Sequence, residues 1–318
     1  MERIKVGHDT FAATKAPLWL AHDLGLFSKH GLEVELTHAA IDQKLRVAEV
    51  EVPVINVEMG GDVPIIVCGG VPTFTARLWE ALLYDVVSLA CTEHTVHHQL
   101  VTVPSARRLG DLRGKRVGVT RFGNLTEYIV RVLARRAGLD PDRDLLLLYL
   151  GGSEMTGLEA LKRGRLDACL LREPHASEAR ALRFTSPVDV PALQIPIYGS
   201  GVTTTRSFLG RQPAIVEAFL KGFLEGTAIF LQDEARSLEV MARHMALGPS
   251  ELQRAYREVR TFLPRKPFPS IEGTRLALEV FHRPALPALD PEAFIDPEPL
   301  RRLDASGFID ALYAGPEN

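Results

Sequence analysis

Residues 4–37 read IKVGHDTFAATKAPLWLAHDLGLFSKHGLEVELT. Ile4-Lys5-Val6-Gly7-His8 alternates with the period of a strand. From Pro17 to Phe27, Leu18, Trp19, Leu20, Ala21, Leu24 and Phe27 fall at helical spacing behind an opening proline, and Lys29-His30-Gly31 ends the run. Leu32 to Thr37 returns to period two. Strand, helix and strand in that order make the right-handed crossover of a parallel sheet, so the fold class is α/β.

Outward from this unit, Ile41 to Val50 has helical spacing and leads into a run, EVPVINVEM, that suits strand or loop. Val63 to Cys68 and Val86 to Cys91 are apolar strands, and Gln99 to Val103 follows a histidine-rich turn. A second alternating unit then places strands at 116–120, 144–150 and 168–171 and helices at 124–137 and 155–163. Past Ile197 the pattern becomes amphipathic helices at 213–232, 234–246, 249–262 and 270–283, with a last one near 297–305. The expected architecture is two lobes with mixed sheets flanked by helices. Residues 1–98 and 199–318 form one lobe and 99–198 an inserted one, joined by a two-strand hinge at Gln99–Val103 and Gln194–Thr203. A ligand cleft then belongs at the carboxyl ends of the strands.

Composition narrows the function. The 318 residues are 46% hydrophobic and 24% charged, with a net charge of −3, which excludes a disordered or collagenous chain and any broad basic field for nucleic acid. No apolar run reaches the ~18 residues of a membrane span, so no membrane insertion is expected. Cys68, Cys91 and Cys169 sit in apolar runs with no C-x-x-C pair, and read as buried thiols. No basic, then apolar leader precedes the first strand, so the chain is expected in the cytoplasm if Met1 is the true start. Nucleophile-elbow, Walker, zincin and dinucleotide motifs are missing, and neither a cofactor nor a metal is assigned.

Five turns gather at the expected cleft: Gly7-His8-Asp9-Thr10 with Lys15 beyond it, Gly69-Gly70-Val71-Pro72-Thr73, Arg121-Phe122-Gly123-Asn124-Leu125-Thr126, Gly151-Gly152-Ser153-Glu154, and Arg172-Glu173-Pro174-His175. Helix starts with glycine and a charged fork suit an anionic guest; each turn alone reads first as a plain helix cap, and it is their convergence that argues for a ligand cleft. In the cluster Glu93-His94-Thr95-Val96-His97-His98, an extended backbone puts His94 and His98 on one face. They read as solvated or structural histidines, or else suit a hydrogen bond to a ligand or a proton transfer; zinc would need a third ligand from His8 or His175.

The segments APLWLAHDLGLFSKHGLEVEL at 16–36, DLRGKRVGV at 111–119, RFGNLTEYIVRVLARRAGLDPDRD at 121–144 and LEALKRGRLDACLLREP at 158–174 resemble the type-2 periplasmic-binding-protein superfamily. The resemblance is to its branch of nitrate, taurine, alkanesulfonate and thiamine-pyrimidine substrate-binding proteins. It implies a substrate-binding protein of an ABC-type transporter, periplasmic, closing on a small anionic or heteroaromatic solute and partnered by a permease. By position it implies ligand contacts from His8, Asp9, Thr10, Lys15, Gly69, Gly70, Thr73, His94, His98, Arg121, Gly123, Asn124, Thr126, Gly152, Ser153, Arg172 and Glu173. Cytosolic lyases of the dihydroxyphthalate decarboxylase and chorismate dehydratase types resemble the same fold. They imply the alternative of a decarboxylase or dehydratase of an aromatic or cyclic carboxylic acid, with Arg121 or Arg172 holding the carboxylate and His94 or His98 as proton donor.

Overall fold

The computed structural model describes residues 1–8, 11–38, 43–47, 50–54, 63–70, 86–151, 154–282 and 290–314. Strand β1 (Glu2–His8) pairs in parallel with β2 (Leu32–His38), from Glu2↔Leu32 to His8↔His38. Between them lie α1 (Ala16–Asp23), with proline in its first turn, and α2 (Leu26–Lys29). The single helix expected over 17–27 is therefore broken in two. Gly25 lies between the pieces at φ +68°, a left-handed conformation that costs glycine least.

A larger departure falls just after. The helix expected at 41–50 is instead an antiparallel pair, β3 (Gln43–Val47) with β4 (Val50–Val54), running from Gln43↔Val54 to Val47↔Val50. Val50, Val52 and Val54 recur at period two and Pro53 cannot continue a helix, so strand chemistry outweighs the helical spacing.

Strands β5 (Ile65–Gly69), β6 (Val86–Cys91) and β11 (Ser200–Thr205) complete a five-stranded mixed sheet of order β2-β1-β5-β11-β6. The whole of β6 is buried. Strands β7 (Gln99–Thr102), β8 (Arg116–Val119), β9 (Leu146–Tyr149) and β10 (Ala168–Leu171) form a second sheet of order β7-β10-β8-β9, with β7 antiparallel to β10 and the rest parallel. Helices α3 (Leu125–Arg136), α4 (Glu154–Lys162) and α5 (His175–Ala181) follow β8, β9 and β10.

Residues 92–98 and 194–199 link the two sheets side by side. Gly199 N–H donates to the Glu93 carbonyl at 2.9 Å, Ile197 N–H to that of His94 at 2.9 Å, and Val96 N–H to that of Ile195 at 3.2 Å. The first link thus lies upstream of the expected Gln99–Val103, because residues 99–102 already pair with β10.

After β11 come α6 (Arg206–Arg211), α7 (Pro213–Gln232), α8 (Glu234–His244), α9 (Pro249–Phe262), α10 (Ile271–Phe281), α11 (Glu298–Ala305) and α12 (Phe308–Ala311). Val6, Leu18, Val67, Phe219 and Phe223 belong to the core of the first sheet. Trp19, Phe230, Met241 and Tyr256 fasten α8 and α9 to α1 and α7. Tyr128, Leu133, Ala277 and Phe281 share a core in which α10 leans on α3. Among the described residues no helix is long and apolar enough to cross a membrane.

Candidate functional site

A cleft of about 360 Å³ opens where the carboxyl end of β10, the first turn of α4, the segment after β1 and the α8–α9 region meet. Phe11 to Thr14 line one side; Glu154, Met155 and Arg172 to His175 line another; Met245 to Leu247, Ala255, Glu258 and Val259 close the third. Volumes of this order hold small organic molecules.

Arg172 organises the polar wall. Its guanidinium meets the carboxylate of Glu93 from the first link, a pair whose side chains are 12% and 3% exposed. Its backbone N–H donates to Glu154 Oε2 at 2.6 Å, and its guanidinium lies 5.4 Å from the centre of the Phe262 ring. Arg172 Nε also faces His98 Nδ1 at 3.4 Å. Arginine only donates, so His98 Nδ1 accepts and its Nε2 carries the proton, facing Glu154 Oε1 at 3.4 Å. Burial pushes the Arg172 pKa down. Burial also raises that of Glu258, while the charges of Arg172 and His98 and the Glu173 N–H pull it back.

Among the described residues, Arg172 and Glu173 are the sequence-expected contacts that line this cleft. Glu173 holds Arg180 and accepts the Ser177 N–H at 3.2 Å, so it also starts α5. His98 stands behind Arg172, buried. His94 turns elsewhere and donates from Nε2 to the Phe268 carbonyl at 2.8 Å.

A second group lies at the carboxyl end of the first sheet. His8 is buried at the end of β1, edge-on to Phe11 and His38 at 5.1 and 5.4 Å between ring centres. The Lys15 ammonium is buried and donates to Ser200 Oγ at 2.7 Å. Gly69 pairs with Ser200, and Gly70 N–H donates to the Gly199 carbonyl at 2.6 Å. A Cβ on Gly70 would run into the Tyr198 ring.

The third group closes on itself. Asn124 Oδ1 accepts the N–H groups of Thr126 and Glu127 at 3.1 and 3.4 Å, Thr126 Oγ1 accepts the Thr120 N–H at 2.9 Å, and Glu127 takes the Gly123 N–H at 2.5 Å. The start of α3 is capped by its own side chains. Arg121 is half-buried beside it, outside the cleft lining. Asp9, Thr10, Thr73, Gly152 and Ser153 lie outside the described residues.

Sequence reasoning passed over Phe11, Met155 and Glu258. Phe11 and Met155 are 52% and 44% exposed, unusual for such apolar side chains, and lie on different walls of one cleft. Glu258 belongs to an amphipathic helix whose pattern reads as an ordinary polar face. The three cysteines are buried and form no disulfide, as expected from their apolar runs, and burial pushes the thiols of Cys91 and Cys169 up, away from a nucleophilic thiolate.

Residues 87–243 match the NMT1-like family. Among curated proteins none matches the sequence. A protein of Bordetella bronchiseptica RB50 superposes with TM-score 0.75 at 16% identity, over 96% of this chain and 98% of that one. The alkanesulfonate-binding protein SsuA of Xanthomonas axonopodis pv. citri, bound to MOPS, does so with TM-score 0.65 at 15% identity, over 99% and 95%. The desulfurization enzyme DSZB gives TM-score 0.61 at 13% identity, over 96% and 99%. The chain has the periplasmic-binding-protein fold, which it shares with the sulfonate-binding proteins at 15–18% identity.

Proposed function

We propose that the chain is a substrate-binding protein that closes on a small organic solute and delivers it to an ABC-type permease, which places its work in the periplasm. The observation that carries this reading is the 360 Å³ cleft, to which the segment after β1, the end of β10 and the α8–α9 region each bring side chains. The two lobes, 1–98 with 199–318 and the inserted 99–198, would close over it by bending at the paired links 92–98 and 194–199. Of the anionic or heteroaromatic solutes that the sequence suggests, the apolar walls of Phe11, Met155, Met245 and Leu247 favour a ring-bearing one. A lyase on the same fold draws less support, since His94 Nε2 is committed to a backbone carbonyl.

Thermal-shift screening against sulfonates, aromatic acids, pyrimidines and organic amines tests the reading, followed by small-angle scattering with the best hit. A raised melting temperature with a smaller radius of gyration is expected. Turnover of the hit, or no stabilisation by any compound, would overturn it.

A further inference from the structure

Charge in the cleft is set against an anion. Glu154, Glu173 and Glu258 line it, and Arg172 brings the guanidinium. That guanidinium already meets Glu93, and His98 faces Glu154. Arg180 answers Glu173. Among the described residues, Arg172 and His98 thus stand against three carboxylates, those of Glu93, Glu154 and Glu258. The remaining hydrogen bonds to Glu154 and Glu258 come from the backbone N–H groups of Arg172 and Glu173, which bring no full charge. The walls are apolar, with Phe11 and Met155 exposed on different sides. An aromatic face also attracts a cation through its quadrupole.

We propose that the cleft takes an organic cation, an ammonium or amidinium on a compact apolar or aromatic body, its charge set against Glu258 and Glu154 and its body held between Phe11 and Met155. The proposal rests on the solute-binding reading above and assigns the chemical class of that solute. The desolvation that raises the Glu258 pKa is the cost that a bound cation would offset. An arriving sulfonate would meet the same carboxylates with Arg172 already engaged.

The test uses the full chain and three probes of similar shape: phenethylamine, benzyltrimethylammonium and phenylmethanesulfonate, titrated by calorimetry at pH 7.5. The two cations are expected to bind and the sulfonate not. Glu258→Gln should weaken the cations by about tenfold or more, as loss of a half-buried counter-charge does, while its melting temperature without ligand stays level or rises. Met155→Ala should weaken both cations and leave the fold intact. Binding of the sulfonate but not the cations would overturn the cation assignment and leave the solute-binding reading standing. Cation binding unchanged in Glu258→Gln would overturn the placement. Silence of the cations, with stabilisation by some other compound of the wider screen, would also overturn the assignment. Silence of every compound would overturn both readings.

Discussion

The guanidinium of Arg172, just past β10, meets the carboxylate of Glu93 on the first link between the sheets, and both side chains are shielded from water. Gly199 on the second link makes room for this pair, since a Cβ there would collide with Glu93. The pair thus ties the end of one sheet to the segment that leads to the other. In such a setting desolvation is severe, and removing one partner leaves a buried charge that costs about 3–5 kcal/mol. Glu93→Ala should therefore destabilise the chain by about that amount in urea unfolding, whereas Glu93→Leu with Arg172→Met should recover most of the loss. Arg3→Ala breaks the exposed pair with Glu35 and should cost less than about 1 kcal/mol. A loss as small as that in Glu93→Ala would mean that the pair is not ionised.

Asn124 offers a separate test of where the site lies. Its side chain occupies the amides at the start of α3 that the sequence suggests for an anion. Asn124→Ala should lower stability by about 1 kcal/mol, the usual cost of an N-cap. Affinity for the best solute of the screen should change by less than about twofold, by calorimetry. A loss beyond about tenfold would put that turn among the ligand contacts.

The β1–α1–β2 unit is legible in the sequence because its periods are clean and because Pro17 and Gly31 mark the boundaries; Gly31 takes φ +82°. Helices α7 and α9 and strand β10 also fall on their expected residues, each carried by a strong periodic run. The β3–β4 pair was hidden because Ile41, Leu45 and Ala48 fall at helical spacing, although Leu45 and Val47 also alternate. For the site, arginine and glutamate after an apolar strand were visible as Arg172 and Glu173, since strand ends in α/β sheets face clefts. Glu258 gave no signal. Its place depends on how α9 docks on α1 and α7 through Tyr256 and Trp19, a long-range contact that local pattern does not encode.

His97 makes stability depend on pH. Its ring stacks on Phe262 with centres 4.0 Å apart, and burial, with His98 beside it, lowers its pKa from 6.5 to about 4. The unfolded chain then binds a proton on this ring between about pH 6.5 and 4 that the folded chain refuses. Stability from this residue is full above pH 6.5 and is lost as pH falls toward 4. His97→Phe keeps a ring on Phe262 and removes the titration. Melting temperatures from pH 7.5 to 4.5 should fall more steeply for the native chain than for His97→Phe, and parallel curves would contradict the assignment.

Gly226, in the middle of α7, separates helix propensity from packing. Alanine is favoured over glycine in a helix interior by about 1 kcal/mol, which alone would make Gly226→Ala stabilising. Here a Cβ would press on the Pro17 carbonyl oxygen and lie 3.0 Å from Ala21 N, both backbone atoms of α1. Backbone in a packed helix cannot swing aside as a side-chain tip can, and overpacking of this kind costs about 1–3 kcal/mol. Packing should win, so Gly226→Ala should lower the denaturation midpoint. Gly210 in α6 has open space where its Cβ would stand. Gly210→Ala should therefore raise the midpoint by the equivalent of about 0.5–1 kcal/mol. Gains in both variants would show that α1 and α7 sit farther apart than the contact at Gly226 requires.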